Sequence, residues 1–503
     1  MSKNKNKFIN YSIYLDISTK VKQLIVTALE KIKNDEKAYV ILTSIAHHLI
    51  LDMYKLAKSS YELDLINKQK INKEYFSFSE IIPFLEKKNK KIDFKLFGNN
   101  EIYAKKKNFF SSIKSLLRFK QVQFEMNFSN SNYFLHNQSY LLDSLTQTNQ
   151  SRVFLRPEQW PISLTKTYEV EQILSIILIQ FNKLLDIYNI HILIAKKSRN
   201  ALSVLILPKI IYAIAFFNTC ESINFKNIKN KKIIGGAPQI LGKVLNYFFK
   251  KNGGLVRRYA HGGDRVFFSD FFWGISELPF CDEYFVHSNA EKKFLEQKLK
   301  SKKIFDFNNS KCLIRTCGSP KHQQLLIENK KQKKKKKILF VPGSLLGEAH
   351  QALPEFKVPD YLTKDYQIWL MKTFKSLGYE VSVKVHPFGI NQSAFLKKFC
   401  NKIITNKFDI LLNSSSVLIF DFAGSAFFDS LASNKGIVLL NTQVRPFYIE
   451  AFKDLEKRCN IVDSFFDKEN KIRFVPNDLK FAIENAFNFD EVDNSFSKKY
   501  FFK

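Results

Sequence analysis

Two histidines, His261 and His386, each end a predicted strand, and the residues after each of them bend or stop the chain. In Arg257-Arg-Tyr-Ala-His261-Gly-Gly-Asp264-Arg265 the two glycines let the backbone turn tightly against a ligand. A histidine held there near neutral pH suits a general base, with Asp264 or Asp270 to orient the ring. The other reading is a structural histidine in a glycine turn. In Val381-Ser-Val-Lys-Val-His386-Pro387 the proline stops the strand, which leaves His386 in position to bond a phosphate or a departing group. A third segment, Ile419-Phe-Asp421-Phe-Ala-Gly424-Ser425-Ala-Phe-Phe-Asp429, reads as strand, small-residue turn and helix start. Gly424 and Ser425 offer amides and a hydroxyl to a phosphate, and Asp429 shares a helix face with Ser425 and can accept from ribose hydroxyls. The alternative is a plain helix with Ser425 as its cap. The fourth, Gly343-Ser344-Leu-Leu-Gly347-Glu348, follows an apolar strand. It can cradle a phosphate through Gly343 and Ser344, although it lacks the Gly-Lys-Ser/Thr of a P-loop.

All four segments sit where a strand ends, and open α/β sheets bind ligands beyond the carboxyl ends of their strands. Strands are predicted at Ile338–Pro342, Val381–Val385, Ser416–Phe420 and Gly436–Leu440. Helices at Tyr361–Leu377, Ala394–Cys400 and Ser425–Ser433 alternate with them, the pattern of a parallel, doubly wound sheet. A looser β/α rhythm runs from Leu202 to Ser319, with a helix over Ala237–Lys250, strands at Leu255–Tyr259, Glu283–Val286 and Cys312–Thr316, and a helix over Ala290–Lys298. Val21–Lys33 and Tyr39–Ala57 read as helices. Lys330–Lys337, a like-charge run that repels itself, marks a linker. The expected organisation is a partly helical region over 1–200, a candidate for acceptor or membrane contact, and a first Rossmann-like domain over 201–329, with its extension into 1–200 left open. The linker over 330–337 and a donor-binding Rossmann-like domain over 338–490 follow.

A chain of 503 residues exceeds what one core usually supports, and 50 phenylalanines exclude a disordered one. The formal charge of +32 favours anionic partners: phosphorylated substrates, polyanions or an anionic membrane surface. No nucleic-acid-binding motif accompanies it, so nucleic acid is not among the expected partners. The six cysteines contain no Cys-x-x-Cys pair, which argues against a disulfide framework or a zinc site and for a reducing compartment. Residues 1–14 lack the apolar core of a signal peptide. Ala201–Cys220 is long enough to span a bilayer, but Pro208 and Lys209 sit at its middle, so a buried core segment is expected.

In their order along the chain, the His-Gly-Gly turn, the His-Pro strand end and the Asp-x-x-Gly-Ser helix start resemble the GT-B glycosyltransferases. The resemblance is to bacterial surface-carbohydrate enzymes: the Kdo and polysialic acid transferases of capsule synthesis and the CDP-glycerol glycerophosphotransferases. A related group carries Gln-His-Gly-Gly followed by Asp-x-Phe-x-x-Trp-Gly. Here these read Ala260-His-Gly-Gly263 and Asp270-Phe-Phe-Trp-Gly274, and the likeness extends through His287-Ser-Asn-Ala-Glu-Lys-Lys-Phe294 and Cys317-Gly-Ser-Pro320. It covers 232–442. It implies two Rossmann-like domains facing a cleft, and a metal-independent transferase with no cofactor. The implied donor is a CMP-, CDP- or UDP-linked sugar or polyol phosphate, and the acceptor a glycan or a lipid-linked glycan. By the same resemblance His261 is the catalytic base, His386 contacts the donor phosphate, Ser425 the phosphate or nucleotide, and Asp429 the ribose; Asp264 beside the base, and Gly343, Ser344 and Gly424 at the donor, are expected from the strand-end reading of the residues. The implied location is the cytoplasm, peripheral on the inner membrane. Ala-Gly-Ser stands where the glycerophosphotransferases have Ser-Ser, which leaves the donor type open. The rival readings are a nucleotide-sugar epimerase of similar fold and a non-enzymatic basic polyanion-binding protein.

Overall fold

The computed structural model describes residues 8–71, 73–76, 81–86, 132–135, 152–155, 157, 160, 168–223, 225, 228–261, 267–269, 272–301, 312–328, 337–345, 353–355, 358–386, 389–390, 393–412, 415–489 and 495–503. Asp264, Asp270, Gly347 and residues 330–336 of the lysine-rich linker lie outside them. So do the side chains of 132–135, although their backbone is described as a strand.

Two parallel sheets organise the chain. The first contains β1 (Asn132–Leu135), β2 (Arg152–Leu155), β3 (Lys232–Gly235), β4 (Leu255–Tyr259), β5 (Glu283–Val286) and β6 (Leu313–Thr316), in the order β2-β1-β3-β4-β5-β6. Edge strand β2 and its neighbour β1 come from within the first 200 residues, so the first sheet draws on chain well before Ala201. The second sheet contains β7 (Ile338–Val341), β8 (Val381–Lys384), β9 (Lys402–Ile404), β10 (Val417–Phe420), β11 (Gly436–Asn441), β12 (Asn460–Phe466) and β13 (Ile472–Phe474). Its order is β13-β12-β11-β10-β7-β8-β9, and only β13 runs antiparallel to its neighbour. Counted from β7, the six parallel strands have the 3-2-1-4-5-6 order of dinucleotide-binding folds, and the order reverses between β7 and β10. The sequence places unbroken apolar runs at this centre: every residue of β10, Val-Leu-Ile-Phe, is buried. Strands covered on both faces need such runs.

Helices Tyr11–Ile32, Glu36–Asn67, Tyr168–Ile187 and Ile192–Glu221 pack together beside the first sheet. Asp35 starts the second of these by accepting from the Ala38 amide at 2.9 Å. Glu36–Asn67 and Ile192–Glu221 are each long and apolar enough to cross a membrane, and in the structure most of each is buried. Lys209, the charge expected to keep Ala201–Cys220 out of a bilayer, is buried here in an ion pair with Asp52.

Among the described residues several contacts join the two domains. Helix Tyr11–Ile32 reaches the second domain: Tyr11 stacks on Phe466 at 5.3 Å and Lys22 pairs with Glu355 at 2.7 Å. The C-terminal helix Ser495–Phe501 crosses back to the first, where Phe501 stacks on His322 at 4.0 Å. Between these, the backbone of Phe267–Ser269 pairs with that of Pro446–Tyr448: Ser269 donates to the Pro446 carbonyl at 2.8 Å and Tyr448 to the Phe267 carbonyl at 2.9 Å. Phe267, from the first domain, stacks on Phe428 of the second at 4.7 Å, so one apolar core runs across the junction.

Candidate functional site

A cleft opens at the carboxyl ends of β7, β10 and β11, at the point where the strand order reverses. Gly343 lines it from β7, Asp421 to Ala423 from β10, and Asn441, Thr442 and Arg445 from β11. Phe268 and Phe447, the residues of the interdomain backbone bridge, close one side.

The floor of the cleft is held by a buried polar knot. The Asp421 carboxylate accepts from the Gly343 amide through Oδ1 and from Gln367 Nε2 through Oδ2, the latter at 2.9 Å. Gln367 Nε2 also donates to the Gly343 carbonyl at 2.9 Å. One carboxylate thus fixes the loop after β7 against the end of β10. Space there is tight: a Cβ on Gly343 would meet Phe422 Cβ at 3.1 Å, and one on Gly424 would meet the Phe422 ring at 3.0 Å. A side chain at either position would require Phe422 to give way by a few tenths of an ångström. On the opposite wall the guanidinium of Arg445 lies 3.6 Å from the centre of the Phe268 ring, a cation–π contact that links the cleft to the first domain.

The other sequence-predicted residues, apart from Asp264, Asp270 and Gly347, lie among those described. His261 is half-buried two residues beyond β4, and His386 is exposed two residues beyond β8. Each follows the carboxyl end of its strand, though neither lines the cleft. Ser344 is half-buried beside Gly343. Gly424, not Ser425, is the cap residue of helix Ser425–Leu431; it makes no side-chain cap, and Ser425 is exposed in the first turn. The Asp429 carboxylate turns toward the first domain, where Lys321 Nζ lies 2.7 Å and His322 Nε2 3.1 Å away. Burial works to raise the Asp429 carboxyl, but His322 and Lys321 outweigh it and hold it below the ordinary aspartate value. Burial also lowers His322, with Asp429 opposing. Among the described residues no three His, Cys, Asp or Glu side chains converge as metal ligands.

Two segments quoted for the resemblance turn out to shape the fold. In His287–Phe294 the Glu291 carboxylate accepts from the His287 amide at 2.7 Å, and Ser288 Oγ accepts from the Glu291 amide at 3.3 Å, a box that starts helix Asn289–Ser301. In Cys317–Pro320, Gly318 takes φ +74° and Ser319 Oγ lies 2.6 Å from His322 Nδ1. Arg445, Asn441, Thr442 and Phe268 were not singled out from sequence. Asn441 and Thr442 directly follow a predicted strand, and the rule that found His386 would have found them. Arg445 and Phe268 carried no such local signal.

Together these elements make a GT-B-like fold, two Rossmann-like domains with a crevice at the switch point of the second. No family model and no curated protein matches the chain. Among solved structures it is similar to the UDP-GlcNAc 2-epimerase of Methanocaldococcus jannaschii in complex with UDP-GlcNAc and UDP, at 11% identity and TM-score 0.38, over 73% of this chain and 97% of that one. The UDP-GlcNAc 2-epimerase of Neisseria meningitidis bound to UDP-GlcNAc gives 10% identity and TM-score 0.36, over 73% and 96%. Apo UGT2 of Phytolacca americana gives 10% identity and TM-score 0.29, over 76% and 90%.

Proposed function

We propose that this chain is a glycosyltransferase that moves a sugar, or a polyol phosphate, from a CMP-, CDP- or UDP-linked donor to a glycan or lipid-linked acceptor in surface-polysaccharide synthesis. The observation that carries the reading is the cleft at the β7/β10 switch point, the place where this strand order leaves room for a nucleotide. On this reading the donor's base and ribose lie over the loops after β10 and β11, and the phosphates meet Gly343, Ser344, Gly424 and Ser425. Arg445 supplies the positive charge on the cleft wall. His386 stabilises the departing phosphate. His261, with Asp264, takes the proton of the acceptor hydroxyl as its oxygen attacks. The donor's bond to the nucleotide breaks, and its electron pair leaves on the phosphate oxygen. A ribose contact at Asp429 requires ribose hydroxyls to compete with Lys321 and His322. The +32 charge suits anionic donors and peripheral contact with anionic lipids at the cytoplasmic face of the inner membrane.

A thermal-shift screen with CMP, CDP, UDP and GDP tests donor binding, because a ligand of the native state raises the melting temperature. One of the four is expected to do so, and no shift with any of them at millimolar concentration refutes the reading. Incubating the labelled donor without acceptor separates transfer from epimerisation: a product isomer formed there sinks the transferase assignment.

A further inference from the structure

β4 carries two consecutive arginines, and the alternation of a strand sends them to opposite faces. Arg257 reaches Glu283, Nε to Oε2 at 2.6 Å, on the partly exposed face. Arg258 turns the other way and is fully buried, and none of its three guanidinium nitrogens has a hydrogen-bond partner among the described residues. Lys243, in the first turn of helix Ile240–Lys251, is 1% exposed and has one long bond, 3.4 Å to the Ser44 carbonyl. One turn along on the same helix face, Asn246 is buried with neither amide atom bonded among the described residues. The carboxylate acting on both cations is Glu277, whose Oε2 accepts from the Tyr284 hydroxyl at 2.7 Å.

With Lys243 protonated, two cations and one carboxylate leave one unit of positive charge uncompensated in the interior. Burial and the neighbouring Arg258 push the Lys243 ammonium down to about 7, and burial lowers Arg258 to about 10. Native interiors pair such charges, because an isolated one forfeits its hydration with nothing in return. We propose that Arg258, Lys243 and Asn246 form an internal binding site for a monovalent inorganic anion of the chloride class. Charge selects the ligand: a monoanion neutralises the excess, whereas a phosphate dianion would reverse it. The three side chains offer donors, as a halide requires. Their full burial favours a small ion over the carboxylate of a substrate. The site belongs to β4 of the first sheet and helix Ile240–Lys251, and none of its residues lines the β7/β10 cleft, so its test is independent of the donor assignment.

The full-length protein is melted in potassium chloride, bromide and gluconate at matched ionic strength, with no nucleotide present. Melting temperature is expected to rise with halide concentration and saturate, and to stay flat in gluconate. Arg258→Met and Lys243→Met should each abolish the difference between halide and gluconate. Chloride-35 line broadening on the wild type, reversed by excess bromide, gives a readout that does not depend on either variant folding. Equal melting in chloride and gluconate without line broadening means a guanidinium solvated by water, and overturns the proposal. A halide effect that survives both substitutions places the ion elsewhere and overturns it equally.

Discussion

Replacing Asp421 by alanine tests the floor of the cleft. The carboxylate accepts from the Gly343 amide and from Gln367 Nε2, and the substitution removes both acceptors at once. The Gly343 amide is then buried without its acceptor, whereas Gln367 keeps its 2.9 Å bond to the Gly343 carbonyl. A buried donor left unsatisfied costs about 1–3 kcal/mol, and loss of one of two bonds at Gln367 adds about 1 kcal/mol. Relief of the buried carboxylate's own desolvation offsets part of this, so a net loss of about 2–3 kcal/mol is expected. At roughly 2–4 °C per kcal/mol for a domain of this size, melting should fall by about 4–12 °C. Hydrogen exchange should localise the loosening to the backbone after β7 and β10. If the loops also hold the donor, nucleotide affinity should drop by about tenfold or more, since each 1.4 kcal/mol is a factor of ten. Gln367→Ala and the double variant complete a cycle with coupling on the order of 1 kcal/mol. An Asp421→Ala protein that melts with the wild type, exchanges like it and binds nucleotide equally would show that the knot organises nothing.

Three further outcomes follow from the same geometry. His261→Ala should lose turnover by about 100- to 10,000-fold with donor affinity retained, and wild-type transfer by the purified variant would reduce His261 to a turn residue. Asp52→Ala should destabilise by about 3–5 kcal/mol because it strands the buried Lys209, whereas Asp52→Leu with Lys209→Met should come close to neutral; equal losses in the two would contradict the ion-pair account. His322 has a folded-state pKa below its unfolded value, so the unfolded chain takes up the proton first as pH falls. Its contribution to stability is therefore complete above about 6.5 and declines below it through the folded value, and His322→Gln should flatten melting temperature against pH in that window; an unchanged slope would contradict the burial argument.

Much of the second domain was legible in the sequence, because a central parallel strand buried on both faces must be an apolar run. Val417–Phe420 and Ile338–Val341 could hardly be anything else between their glycine- and polar-rich turns. The β/α alternation then dictated a doubly wound sheet, and the strand-end rule pointed to the loops at Gly343 and Asp421. Local chemistry went no further, since strand order is set by which strands pair and not by any one segment. Only the fold placed β7 beside β10 and made those two loops the walls of one cleft. It also gave Asp421 its structural task, joined Arg445 to Phe268 across the domain junction, and turned Asp429 toward Lys321 and His322. The sequence alone showed Lys209 as a charge in an apolar stretch, and Arg258 as one of two adjacent arginines. Burial, with a partner 157 residues away for Lys209 and no hydrogen-bonding partner among the described residues for Arg258, is a property of tertiary packing, which brings together residues that no local pattern connects.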